Sequence, residues 1–162
     1  MTPVVQTITS VEEGGNCLAA CLASVLEIPL DAVPNAAKVW ARDPYAQDPD
    51  VTAEGWKLVR DWLARLGLDV WNLGGPDDLG DWRPDGYWLG VFESPRLAPA
   101  THIVVCRGSD VVWDPHPAAS EQPVQPETLR SVYVLVAADP VKLARGLTPG
   151  GKWPFSVEAR PT

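Results

Sequence analysis

The chain has 162 residues, 46% of them hydrophobic and 21% charged, with a formal net charge of -8 at pH 7. That length fits one domain able to bury about 70% of its unfolded surface, and the acidic balance argues against nucleic acid or an anionic membrane as partner. No apolar run approaches the roughly 18 residues of a membrane span, and no basic-then-apolar leader opens the chain, so a cytoplasmic home is the default expectation.

Residues 4–8 alternate weakly, as a short edge strand or an extended entry does. From Cys17 to Glu27 the apolar positions Leu18, Cys21, Leu22, Val25 and Leu26 repeat at three and four. This predicts a helix with Asn16 as N-cap and Pro29 as its stop. A second short helix is expected from Leu30 or Asp31 to Pro34, and 41–50 reads as a loop. Trp56, Val59, Leu63 and Leu66 form the stripe of a longer helix, capped by Thr52 and stopped by Gly67, with Leu58 and Trp62 widening it. Strands are expected at 69–73, 87–92, 102–107, 111–113 and 132–136, separated by loops at 74–86, 93–100 and 115–128. The 17 prolines stiffen those loops. The tail from about 139 is Pro/Gly-rich, with a helical turn around 141–145. Helices followed by an antiparallel sheet of about four to six strands give an α+β fold, in one domain over 1–162.

The chemistry-bearing residues are few. In Glu13-Gly14-Gly15-Asn16-Cys17-Leu18-Ala19-Ala20-Cys21 a loop gives way to a helix, so the Cys17 thiol stands at a helix N-terminus. Unpaired N–H groups and the macrodipole favour the thiolate there, the nucleophilic form of cysteine. Thr101-His102-Ile103-Val104-Val105 offers an imidazole on a strand, and Trp113-Asp114-Pro115 a carboxylate after the next strand. If residues 108–110 form the hairpin loop, Arg107 pairs with Val111 and Val104 lies opposite Asp114. His102 and Asp114 then become diagonal neighbours on one face. With a two-residue loop the parity changes and Asp114 turns away.

The order of these pieces resembles the papain-like cysteine peptidases, most nearly the branch related to bacteriocin-leader (double-glycine) peptidases. The pieces that carry it are Asn16-Cys17-Leu18-Ala19-Ala20-Cys21, His102-Ile103-Val104-Val105 and Val111-Val112-Trp113-Asp114-Pro115. The run from Gly15 to Pro34 also resembles small uncharacterised papain-like proteins of bacteria and phages, and the resemblance spans about Gln6 to Val136. It implies a papain-like fold, a peptide or protein substrate and no cofactor. In such an enzyme Cys17 attacks a carbonyl to give a thioester, His102 shuttles the proton, and Asp114 orients the imidazole. The Cys17 backbone N–H is one oxyanion donor. Members of the family add a glutamine upstream of the cysteine; Gln6 is the one available, at a longer spacing, with Asn16 as the runner-up donor.

Each assignment has a plainer competitor. Cys17 can be a packed helix-start cysteine, His102 a satisfied strand histidine, Asp114 the end of a strand in an Asx-type turn, and Gln6 a structural residue. Cys17 and Cys21 with His102 or His116 is a weak zinc reading, because Leu18-Ala19-Ala20 is helix rather than a knuckle turn. Three cysteines do not suggest a disulfide framework, and Cys21 and Cys106 read as buried apolar residues. His116 reads as a rim residue, or as a substitute orienter if the register shifts. The tryptophans are expected mostly in the core with one or two lining a groove. Asp77, Asp78, Asp81 and Asp85 read as solvated surface, or else as a selector of cationic substrates. Three functions remain: a thiol hydrolase cutting peptide or isopeptide bonds, which is favoured; acyl transfer or deamidation through the same thioester; and a non-catalytic binding module.

Overall fold

The computed structural model describes residues 1–43 and 48–139. In chain order its elements are α1 (Cys17–Leu26), α2 (Ala37–Trp40), α3 (Pro49–Arg65), β1 (Leu68–Asn72), α4 (Pro76–Leu79), β2 (Tyr87–Glu93), β3 (Thr101–Arg107), β4 (Asp110–Trp113) and β5 (Leu129–Ala137). The five strands form one antiparallel sheet in the order β1-β5-β2-β3-β4. With four α-helices among the described residues the architecture is α+β. The tail after 139, with its expected turn at 141–145, lies outside the described residues, as do 44–47 of the expected 41–50 loop.

Helix α1 is made of small and apolar residues, and its spacing suggested one buried face. Instead every residue after Cys17 is buried. A helix apolar all round belongs in a core, and here β3 covers one side while the extended N-terminal residues cross another. Ser24, its single polar side chain after Cys17, donates to Ala20 O at 2.7 Å and accepts from Val4 N at 2.9 Å. The helix ends at Leu26, three residues before Pro29, the expected stop. Glu27 takes a left-handed conformation (φ 55°) and Ile28 N bonds back to Ala23 O at 3.1 Å, closing the last turn from within.

Helix α3 starts earlier than expected. Asp48, not Thr52, caps it, accepting from Asp50 N at 2.9 Å, and Pro49 takes the first helical position, where its missing N–H costs nothing. Val59 and Leu63 face the core, whereas Leu58 is exposed. Gly67, at φ 78°, is the stop the sequence announced. Two apolar layers result. One joins Leu22, Val25, Val59 and Leu63 to the sheet residues Leu68, Leu89 and Val105. The other collects Trp88, Phe92, Val104, Leu129 and Val132 under Val124. Burying each such side chain is worth about 1.5–3 kcal/mol, so both faces of the sheet contribute. Residues 4–8 are an extended entry rather than a strand, tied to the end of β4 by Gln6 N→Pro115 O at 2.9 Å and Trp113 Nε1→Val4 O at 3.1 Å.

The β3–β4 hairpin decides where Asp114 goes. Its loop is Gly108–Ser109, with Arg107 opposite Asp110 and Cys106 opposite Val111. Gly108 supplies the positive φ (54°) that a two-residue turn requires. The three-residue loop expected from the sequence is therefore wrong, and that alone would turn Asp114 away. A bulge intervenes: between Cys106 and Val105 the register shifts by one, and Val105 pairs with Trp113. The three-residue loop would have produced that same pairing. The bulge thus restores the side-chain parity that the turn had changed.

Candidate active site

The site begins with the chain that carries Cys17 into α1. Gly14 (φ 73°) passes so close to Ala37 that any Cβ would overlap its carbonyl, which holds the approach to the helix tight. Asn16 stands at the N-cap position without capping through its side chain. It reaches sideways instead: its Oδ1 accepts from Thr7 N (3.0 Å) and Ile8 N (2.9 Å), and its Nδ2 donates to Thr7 Oγ1 (3.1 Å). Asn16 therefore stitches the N-terminal segment to the helix start. Its side chain faces the N-terminal segment instead of capping α1, which corrects the expected cap, and Asn16 does not line the cleft, which weakens it as the alternative oxyanion donor.

His102 is the second residue of β3 and is buried. Its Nε2 lies 2.6 Å from Asp114 Oδ1. An ionised carboxylate only accepts, so that nitrogen carries the proton and Nδ1 is left for the thiol. The imidazole and the Cys17 thiol are hydrogen-bond neighbours, and the backbone N–H groups of Ile103 and Leu18 also point at the sulfur. Burial opposes ionisation of Cys17, but the His102 hydrogen bond and charge, with those N–H groups, outweigh it and hold the thiol below its ordinary range. Burial likewise disfavours charge on His102, yet the bonds to Asp114 and Cys17 push it up to about 9. Burial works against the Asp114 carboxylate too; His102, the His116 N–H and Arg96 together keep it below the usual carboxylate value. All three shifts run in the direction that favours a thiolate beside an imidazolium beside a carboxylate.

The other two thiols behave differently. Cys21 is buried outright, donates to Ile103 O at 3.3 Å, and burial drives its thiol well above the ordinary range. Burial pushes Cys106 up to about 12. Only Cys17 is poised to react.

Cys17 and His102 open onto a cleft of about 290 Å³ that Gln6, Arg96, His116, Trp40, Trp56 and Tyr133 also line. Gln6 is buried, with Nε2 donating to Ile8 O at 3.2 Å and Oε1 unpaired. Its amide nitrogen keeps a second N–H and it lines the cleft, so it stays the better placed of the two expected side-chain donors. His116 is a rim residue. Its Nδ1 accepts from Ala118 N at 3.0 Å, its ring meets His102 edge-on at 6.0 Å, and its backbone N–H, not its ring, supports Asp114 at 2.9 Å. Trp56 stacks on Tyr133 at 4.7 Å and leans on Trp40 at 5.5 Å. Gly55 lets Trp40 seat, since a Cβ there would overlap the indole. Among the described tryptophans Trp88 is buried and Trp40, Trp56, Trp62 and Trp113 pack partly buried against the core, as expected, whereas Trp71 and Trp82 are 55% and 56% exposed. The four aspartates between 77 and 85 are exposed, as a solvated surface would be.

Arg96 is the residue that reading the sequence missed. From the β2–β3 loop its Nη2 donates to Asp114 Oδ2 at 3.2 Å, and both side chains are 9% exposed. Its sole sequence signal is a cation wedged among loop prolines. Among the described residues no group of three or more His, Cys, Asp or Glu side chains converges to hold a metal ion. No family model, curated protein or solved structure matches the chain.

Proposed function

We propose that the protein is a cysteine hydrolase of papain-like type that cuts amide bonds in a peptide or protein. The observation that carries this reading is the alignment Cys17–His102–Asp114 at a cleft, with a 2.6 Å bond between the last two. The Cys17 thiolate adds to the scissile carbonyl carbon, and the oxygen takes the negative charge against the helix-start N–H groups and the Gln6 amide. His102 gives its Nδ1 proton to the departing amine, leaving a thioester on Cys17. A water then loses a proton to His102 and adds to the thioester; the acid leaves and the ion pair is restored. Asp114 keeps the imidazole in the tautomer that both transfers need. The aromatic wall of Trp40, Trp56 and Tyr133 supports a substrate segment bearing apolar side chains.

The test is to incubate the full chain with a pool of unmodified peptides and identify products by mass spectrometry. New termini are expected with the native chain and none with Cys17→Ala. An intact pool, while an electrophile still labels Cys17, would contradict hydrolysis.

A further inference from the structure

A carboxylate on a short side chain turns readily about its terminal bond, because that torsion is broad and two-fold. Nothing in the His102–Asp114 contact itself prevents the two oxygens from exchanging. In this chain Oδ1 takes His102 Nε2 at 2.6 Å and the His116 N–H at 2.9 Å, while Oδ2 takes Arg96 Nη2 at 3.2 Å. The other guanidinium nitrogen, Nη1, donates to Gln122 O. Arg96 thereby ties three segments together: the β2–β3 loop, the end of β4 and the 115–128 loop. A planar fork with fixed donors suits this task, whereas an ammonium group is a point charge.

We propose that Arg96 is a positioning residue, locking the Asp114 carboxylate so that Oδ1 stays on His102 and the imidazole stays turned toward Cys17. The inference rests on the triad reading of Cys17, His102 and Asp114. The charged and titratable groups around His102 are Cys17 at the start of α1, Asp114 after β4, His116 beyond it, and Arg96 itself. Removing the Arg96 cation would by charge alone raise the proton affinity of His102. Loss of the fork also frees the carboxylate and weakens the bond that sustains the imidazolium, and positioning requires that this second effect wins and the affinity falls. The Arg96 charge also suppresses protonation of His116, although burial is the larger cause.

The chain has two histidines, so ring NMR of the full-length protein resolves the question once His116→Gln has assigned the signals. The native His102 midpoint is expected near 9. In Arg96→Met it should fall by about one unit or more, a tenfold loss of proton affinity, with a similar loss in the rate at which iodoacetamide alkylates Cys17 at pH 6. Arg96→Lys keeps the charge but cannot span Asp114 and Gln122 together, so its midpoint should lie between the two. An unchanged or raised midpoint in a folded Arg96→Met overturns the proposal. If Arg96→Met unfolds, Arg96→Lys decides: a lowered midpoint supports positioning, whereas an unchanged midpoint or failure to fold makes Arg96 a structural anchor only. Failure of the underlying triad is separately visible, because the native His102 midpoint would then sit at or below the ordinary histidine value.

Discussion

Replacing Cys17 with alanine removes the nucleophile, and it should also change how stability depends on pH. In the folded chain the thiol lies below its ordinary value and His102 lies near 9. A group with a depressed folded value contributes stability above its unfolded value and loses it as pH falls through the folded one. His102 is the reverse: its contribution is complete below about 6.5 and is lost as pH rises through about 9. Between those two values the imidazolium holds the proton that the thiolate gave up. The folded pair then binds as many protons as the two separate groups do when unfolded, and its contribution is flat. Below about 6.5, for as long as Cys17 stays ionised in the folded chain, the unfolded chain binds one proton more, so native stability should rise with pH by up to about 1.4 kcal/mol per unit there. Cys17→Ala has no such thiol. Urea melts followed by tryptophan fluorescence from pH 4.5 to 10.5 give the difference between the two chains, in which titrating groups not coupled to Cys17 cancel and the change in His102 adds to the same rise. The native advantage should grow with pH through the acid range. A difference flat up to the ordinary thiol range would mean a thiol that stays protonated on folding. A difference that shrinks above that range would mean a thiol pushed up by burial, as in Cys21. Either result refutes the ion pair.

Three further substitutions test separate parts of the account. Asp114→Asn should lower the His102 ring midpoint by at least about one pH unit by NMR, and cut amide hydrolysis at neutral pH on the order of a hundredfold; an unmoved midpoint would assign the shift elsewhere. Asn16→Ala leaves Thr7 N and Ile8 N without their acceptor, so a loss of roughly 2–4 kcal/mol in urea unfolding is expected, against near-neutrality if Asn16 were an ordinary exposed N-cap. Gly55→Ala drives a methyl into the Trp40 indole; a cost of about 1–3 kcal/mol should come with weaker substrate binding, read as a higher KM. An unchanged melting temperature would show that the indole seats differently.

Cys17 was legible because a Gly-Gly-Asn turn meets an unbroken apolar run, and such a junction fixes a helix start by local chemistry alone. His102 and Asp114 were legible through strand alternation, but by a route that contains two compensating errors. The loop is one residue shorter than expected and the bulge adds one back, and no local pattern distinguishes Val111-Val112-Trp113 bulged from the same residues regular. Asp48 outcompeted Thr52 as a cap because Pro49 beside it is already set to helical φ, a signal present in the sequence and passed over. Helix α2 is a single turn held by packing around Gly14 and Trp40, which propensity does not reveal. Arg96 was out of reach for a deeper reason. It contacts a carboxylate eighteen residues away across two strands, and a loop cation looks the same in sequence whether it is solvated or folded inward. Trp71 and Trp82 mislead similarly: aromatic bulk predicts burial, yet both are exposed, Trp71 on the edge strand β1.

The ionisation state of the Cys17 sulfur is central to the proposed chemistry, and the rate of its alkylation by iodoacetamide as a function of pH measures that state directly. With peptide mapping of all three cysteines, Cys17 should react below the ordinary thiol range, at least tenfold faster than Cys21 or Cys106, with a second step near 9 as His102 loses its proton. His102→Ala should return the reaction to one step at or above the ordinary value. A native Cys17 that reacts only in that ordinary range, or no faster than the two buried thiols, would contradict the claim.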